Sequence, residues 1–199
     1  MKKLKSSLTN MLLVLTVISV VAGGTLAAVN KATQEHIEKI KAETLARSIK
    51  KVLNVKEEET LTVEDYEDGG FVIHRTDRGV AIESTKNGFG GALKVLVGFD
   101  TEGTILGYSI LETSETPGLG AKAGEWFQEG QKGCIVGRNP KDTRMGVTKG
   151  GEGDIDAITA STITSRAFLG AVQAAYDKVF AESGTDGTTS ATSQKGGRQ

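Results

Sequence analysis

The sequence predicts an α+β protein: an antiparallel sheet with helices packed on it, preceded by one N-terminal transmembrane helix. Three observations carry this. A charge-free apolar run fills residues 11–29 behind a lysine-rich leader. Short β-prone runs, separated by turn residues, fill residues 70–110. An apolar stripe at helical spacing covers residues 161–182.

The leader, residues 1–10, carries Lys2, Lys3 and Lys5. The run behind it, MLLVLTVISVVAGGTLAAV, is long enough for a membrane helix, which takes roughly 20 residues. A cationic leader places the N-terminus in the cytoplasm. A cleaved signal peptide is the rival, with Thr25, Leu26 and Ala27 as a small-x-small site. The run exceeds a usual signal core, which favours the retained anchor. On either reading the following domain works outside the cytoplasm. An anchored form would cross the bacterial cytoplasmic (inner) membrane once. No Cys stands directly after the run, which excludes a lipoprotein anchor.

Residues 31–53 read as a linker helix, because Ile37, Ile40, Leu45, Ile49 and Leu53 recur between Lys and Glu. Residues 57–68 are acidic and read as irregular. FVIHRTDRGVAIES holds two strands around the turn Asp77-Arg78-Gly79. ALKVLVGFDTEGTILGYSILE holds two more around residues 100–103, a strong hairpin signal. A short helical piece is expected around Glu125, Trp126 and Phe127. Residues 134–136 and 145–147 could each add a short strand. In the last helix Phe168, Val172, Ala175, Tyr176 and Val179 form the apolar stripe. The domain thus runs over residues 30–182, and the polar stretch 183–199 is expected to be disordered.

Composition narrows the function classes. The 199 residues carry a formal net charge of -1, so no nucleic-acid partner is indicated. The single Cys134 permits neither an internal disulfide nor a thiolate metal cluster, and reads as a small core residue in a strand. His36 and His74 lack ligand-like spacing, which argues against zinc or haem.

Three motifs remain. In DAITASTITS, Thr159, Ser161, Thr162, Thr164 and Ser165 place five hydroxyls in seven residues at the head of a helix. One capping hydroxyl is worth about 1 kcal/mol and explains one or two of them. The free N–H groups and the positive helix end also make an anion site, whose natural ligand is a phosphate. On physical grounds capping and phosphate binding stand level. Asp154 and Asp156, just upstream, could order the turn or help hold a metal during modification. The second motif, ETPGLG from Glu115 to Gly120, contains a Pro-Gly pair suited to a type II turn. The third, Gly88-Phe89-Gly90-Gly91, lacks the Rossmann spacing and precedes a strand, so it reads as a tight strand entry.

Together these motifs resemble the FMN-binding domain family. Asp156, Thr159, Ala160, Ser161, Thr162 and Ser165 follow its flavinylation pattern, and ETPGLG and GFGGALKVLVGFDTEGTILG resemble its other hallmarks. The order, the length and the single anchor resemble the G-type subunits of Rnf-type ion-translocating electron transport complexes. The C-type subunits of sodium-translocating NADH:quinone reductases are a second resemblance, and a flavin-free anchored binding module is the reading outside the family. The first resemblance implies an electron carrier without turnover of its own, in a complex coupling ferredoxin/NAD electron transfer to ion movement. It implies FMN attached by a phosphoester to Thr162, installed from FAD by a flavin transferase, and other membrane subunits as partners. It implies Thr159, Ser161, Ser165 and Asp156 around the phosphate, with backbone N–H groups near Ile163 and Thr164. It also implies Thr116, Gly118 and Leu119 bordering the ring and Glu115 ordering its own turn, with Trp126 either a ring neighbour or a core residue. Two departures stand out. The motif's usual Gly-Ala is Ala160-Ser161 here, and Thr113 and Ser114 occupy positions that often hold His.

Overall fold

The computed structural model describes residues 8–181. Most of the leader and the expected tail lie outside them. The chain divides between Leu45 and Ala46 into two units.

The first unit is formed by helix α1, Leu8–Val52, up to Leu45. The expected anchor and linker helix are one continuous element. Its apolar window reaches a mean hydropathy of 2.4, and by length and composition it can cross a membrane. Residues 11–29 are exposed, and no other described part of the chain covers them. Burying such a stripe requires another apolar phase, and a bilayer supplies one.

The second unit is a five-stranded antiparallel meander in the order β1-β2-β3-β4-β5. Its strands are β1 Glu64–Asp68, β2 Phe71–Arg75, β3 Val80–Asn87, β4 Ala92–Phe99 and β5 Ile105–Thr113. Strand β1 corrects the expectation of irregular chain at residues 57–68. All five of its residues are exposed, so it shows no apolar alternation. Backbone pairing to β2 holds it instead, through the turn at Gly69 and Gly70. Both glycines have positive φ, as a two-residue type I′ hairpin turn requires. Its acidic side chains suit an exposed edge, where charge discourages pairing with another chain.

One sheet face carries the core. Ile82, Val95, Val97, Phe99, Ile105 and Tyr108 are fully buried there. Helix α3, Thr162–Tyr176, covers this face with Phe168, Val172 and Ala175. A π turn, Asp177–Ala181, follows α3. The short helix α2, Ala123–Trp126, is pinned by the Tyr108 hydroxyl, which donates to Ala123 O and accepts from Phe127 N–H. Phe127 stacks on Phe168 at 4.3 Å between ring centres, joining α2 to α3. Neither extra strand forms. Cys134 lies half-buried in a turn, and residues 145–147 contribute a single parallel bridge from Val147 to Ile155.

The other face receives the end of α1. A Cβ on Gly98 would collide with the Val52 carbonyl, and one on Gly107 would crowd Val52 as well. This face also carries a polar ladder. His74 on β2 contacts Asp65 of β1 at 2.7 Å and Glu83 of β3 at 3.3 Å. Glu83 in turn pairs with Lys94 of β4 at 2.6 Å. His74 and Glu83 are almost wholly buried, 2% and 5% exposed. Burial opposes the charged imidazole, but the bonds to Glu83 and Asp65 and their charges outweigh it, so the His74 pKa is raised. Burial also opposes the Glu83 carboxylate, but His74 and Lys94 outweigh it, and the Glu83 pKa is lowered.

The signs set a stability window. A raised His74 pKa gives stability present below the ordinary value of 6.5 and lost as pH rises through the folded value. A lowered Glu83 pKa gives stability present above 4.5 and lost as pH falls through its folded value. Thermal melts should therefore peak in mild acid and decline toward alkaline pH. His74→Gln should lower the melting temperature and flatten that alkaline decline. A decline of unchanged slope in the variant would remove His74 as its source.

Candidate functional site

Antiparallel register brings three segments to one end of the sheet. Asn87 pairs with Ala92 and Leu93 pairs with Thr113, so the β3–β4 loop and the chain leaving β5 lie side by side. The third segment is the N-terminus of α3. One side chain joins them. Glu115, just past β5, accepts from Gly90 N–H at Oε1 (3.2 Å) and from the Thr164 hydroxyl at Oε2 (3.0 Å). Glu115 is 7% exposed and Thr164 is fully buried. Glycine is required around this carboxylate: a Cβ on Gly88 would strike Oε1, and one on Gly120 would strike Oε2 and crowd Thr164 Oγ1.

Beside this junction lies a cleft of about 410 Å³, lined by apolar Phe89, Leu119 and Ile163 and by Glu115, Thr162 and Thr164, among others. Its apolar side chains are well exposed: Phe89 73%, Leu119 45% and Ile163 54%. The ETPGLG loop turns through Leu119 N–H to Thr116 O, with Gly118 at φ +78°. That is the type II arrangement expected of Pro117-Gly118. A 3₁₀ turn, Gly120–Lys122, follows.

The head of α3 is uncapped. Ser161 is the N-cap residue, yet its side chain does not cap. Among the described residues the N–H groups of Thr162, Ile163 and Thr164 have no acceptor. Such free donors, at the positive end of the helix dipole, attract a negatively charged group. The turn before them is strained. Ala160 sits at φ +62°, in the left-handed region that favours glycine.

The structure gathers some of the sequence-selected residues at the cleft and leaves others outside it. Glu115, Thr116, Leu119, Ser161, Thr162, Ile163 and Thr164 line it. Ser165 is fully buried behind it, donating to Ser161 O and accepting from Ile158 N–H. Asp156 accepts from the Thr148 hydroxyl at its carboxylate and from Trp126 Nε1 at its carbonyl. Trp126 is thus a brace for the strand-like segment before the hydroxyl cluster, seated over Gly133. Thr159 and Gly118 are exposed and do not line the cleft. Phe89, Ala160 and Gly120 stand within the sequence motifs but not among the expected site residues, and all three line the cleft. The glycines flanking Phe89 were visible, but their reason, the Glu115 carboxylate between two loops, needs the fold.

These features fit a ligand with a phosphate at one end and a flat apolar body. The uncapped N–H groups meet the phosphate's acceptors, and Phe89, Leu119 and Ile163 offer apolar surface. The comparisons agree on the class: residues 88–177 match the FMN-binding domain family. That span contains every residue lining the cleft.

Comparison with individual proteins narrows the class. The chain is 33% identical to the G subunit of the Na(+)-translocating ferredoxin:NAD(+) oxidoreductase complex of Acetobacterium woodii, over 80% of this chain and 86% of that protein. It is 31% identical to the G subunit of the ion-translocating oxidoreductase complex of Methanosarcina acetivorans, over 89% of this chain and 97% of that one. A shorter match, 42% identical, covers 57% of this chain and 56% of the corresponding G subunit of Salmonella typhi. The chain belongs to the family formed by the G subunits of ion-translocating oxidoreductase complexes.

At Ala160 the flavinylation pattern has glycine. The left-handed conformation costs an alanine about 1–2 kcal/mol, and glycine's added freedom in the unfolded chain returns about 0.4–1 kcal/mol of that. Ala160→Gly should therefore stabilise the domain by about 0.5–1 kcal/mol, raising the melting temperature by about 1–4 °C. A lower melting temperature would show that the Ala160 methyl has favourable contacts exceeding its strain.

Proposed function

We propose that this protein is a membrane-anchored electron carrier holding FMN by a phosphoester to Thr162, within a complex that couples ferredoxin/NAD electron transfer to ion translocation. The observation that carries the reading is the uncapped, hydroxyl-rich head of α3 opening into the cleft. The relatives support it by the reactions in their names.

The residues would divide the work between attachment, phosphate binding and shelter of the ring. Thr162 Oγ1 takes the FMN phosphoryl group of FAD in a reaction run by a flavin transferase. The new P–O bond replaces the bond to the AMP phosphate, AMP leaves, and the hydroxyl proton is released. The N–H groups of Thr162, Ile163 and Thr164 would hold the negative phosphodiester. Phe89, Leu119 and Ile163 would offer apolar surface to the ring system and limit its contact with water. Glu115 fixes the loops that carry Phe89 and Leu119 to the helix that carries Thr162. Bound flavin supplies the redox chemistry, accepting and releasing electrons. No general base is needed for relay. With α1 crossing the membrane, the domain faces the extracytoplasmic side, where a covalent link prevents loss of cofactor by dilution. The other membrane subunits supply and remove the electrons.

The test uses full-length protein produced with and without a flavin transferase. Denaturing gels viewed under ultraviolet light should show a fluorescent band that requires the transferase and vanishes in Thr162→Ala. Fluorescence surviving the substitution would move the attachment to another residue. No band in the unsubstituted protein, with a transferase active on a control substrate, would overturn the flavin reading.

A further inference from the structure

The cleft contains one buried acid that electron relay does not require. Glu115 has no cationic partner among the described ion pairs, although most buried carboxylates need one. Its two bonds come from Gly90 N–H and the Thr164 hydroxyl, both neutral donors. Two glycines, Gly88 and Gly120, leave room for its carboxylate oxygens. If its only task were to join loops, a neutral amide of the same shape would serve and would cost less to bury.

We infer that the Glu115 carboxylate sets the reduction potential of the cofactor in this cleft, holding it lower than the loops and helix alone would. This rests on the flavin reading of the site. One electron taken up without a proton adds one negative charge to the ring system, and a carboxylate on the cleft wall opposes that charge. The Thr164 hydroxyl moderates the opposition, because its proton is shared with Oε2. A unit charge within about 12 Å, at an effective dielectric of about 20, shifts such an equilibrium about tenfold. For a one-electron couple tenfold is about 59 mV. Because Glu115 and Thr164 are buried, salt should screen the effect little.

Two substitutions separate charge from structure. Glu115→Gln keeps the shape: its carbonyl can accept from Gly90, and its amide can donate to Thr164 Oγ1 once that hydroxyl rotates. Thr164→Val keeps the β-branched shape and the Glu115 charge but removes the moderating donor. The full-length proteins, loaded by the transferase, would be titrated with dithionite and redox mediators while the flavin absorbance is followed. Glu115→Gln should move the midpoint to more positive potential, with about a tenfold change in equilibrium. Thr164→Val should move it the other way. Both shifts should persist in high salt.

Covalent fluorescence on a gel scores the flavin reading separately for each protein. Loaded variants with unchanged midpoints would overturn the inference and leave the flavin reading standing. Shifts in the same direction would also overturn it, since they would report general loosening of the cleft. If Glu115→Gln failed to load, Thr164→Val would decide alone, and a positive or absent shift there would overturn the inference. Unsubstituted protein without flavin would sink both readings at once.

Discussion

The bonds from Gly90 and Thr164 to the Glu115 carboxylate join three pieces of chain that are far apart in sequence. Without them, the β3–β4 loop, the ETPGLG loop and the head of α3 would be held only by the elements they extend from. The cleft is the space these three pieces enclose, so its shape depends on the carboxylate. A buried acceptor that loses its donors costs about 1–3 kcal/mol, more for a charged group. That asymmetry favours the closed junction: Thr164 is fully buried, and Glu115 is the described acceptor of its hydroxyl. Gly88 and Gly120 serve the same junction by leaving the carboxylate its space.

The two sheet faces carry separate tasks. The core face positions the site, because Phe168 on α3 meets Tyr108 and Phe127 in one aromatic group. Through that group, α3 is set against β5 and α2, and its head arrives at the end of β5 where Glu115 leaves the sheet. The other face holds the end of α1 at Gly98 and Gly107, and the ladder from Asp65 to Lys94. Charge on that face tunes stability with pH, while the cleft at the sheet's end remains apart from it.

Much of the fold was legible because its signals are local. Both hairpins of residues 71–113 announced themselves through apolar runs around turn residues, and α3 through its stripe. Strand β1 was not legible, since EDYED has no apolar alternation and its pairing is with backbone. Its one local clue was Gly69-Gly70, the hairpin dipeptide before Phe71. Residues 134–136 and 145–147 were each expected to add a short strand. The structure satisfies that backbone with turns and one bridge. At the site, the hydroxyl cluster and ETPGLG stood out in sequence. The partnership of Glu115 with Thr164, 49 positions away, did not, because no periodicity encodes a contact made by topology.

The five hydroxyls at the head of α3 raise a physical question that the structure answers residue by residue. Ser165 is committed to the turn, closing Ile158 N–H onto Ser161 O. Thr164 is committed to Glu115. Thr159 lies outside on the surface. Ser161 occupies the capping position without capping. Thr162 therefore stands at the cleft with its hydroxyl unused by any described bond and with free backbone donors around it. An ordinary helix would satisfy those donors with the Ser161 side chain, for about 1 kcal/mol. Here the left-handed Ala160 turns the chain so that the helix opens directly into the cleft. The sequence gives up both the cap and relaxed backbone at one place, and an anionic ligand at Thr162 would recover the stabilisation that each omission forgoes.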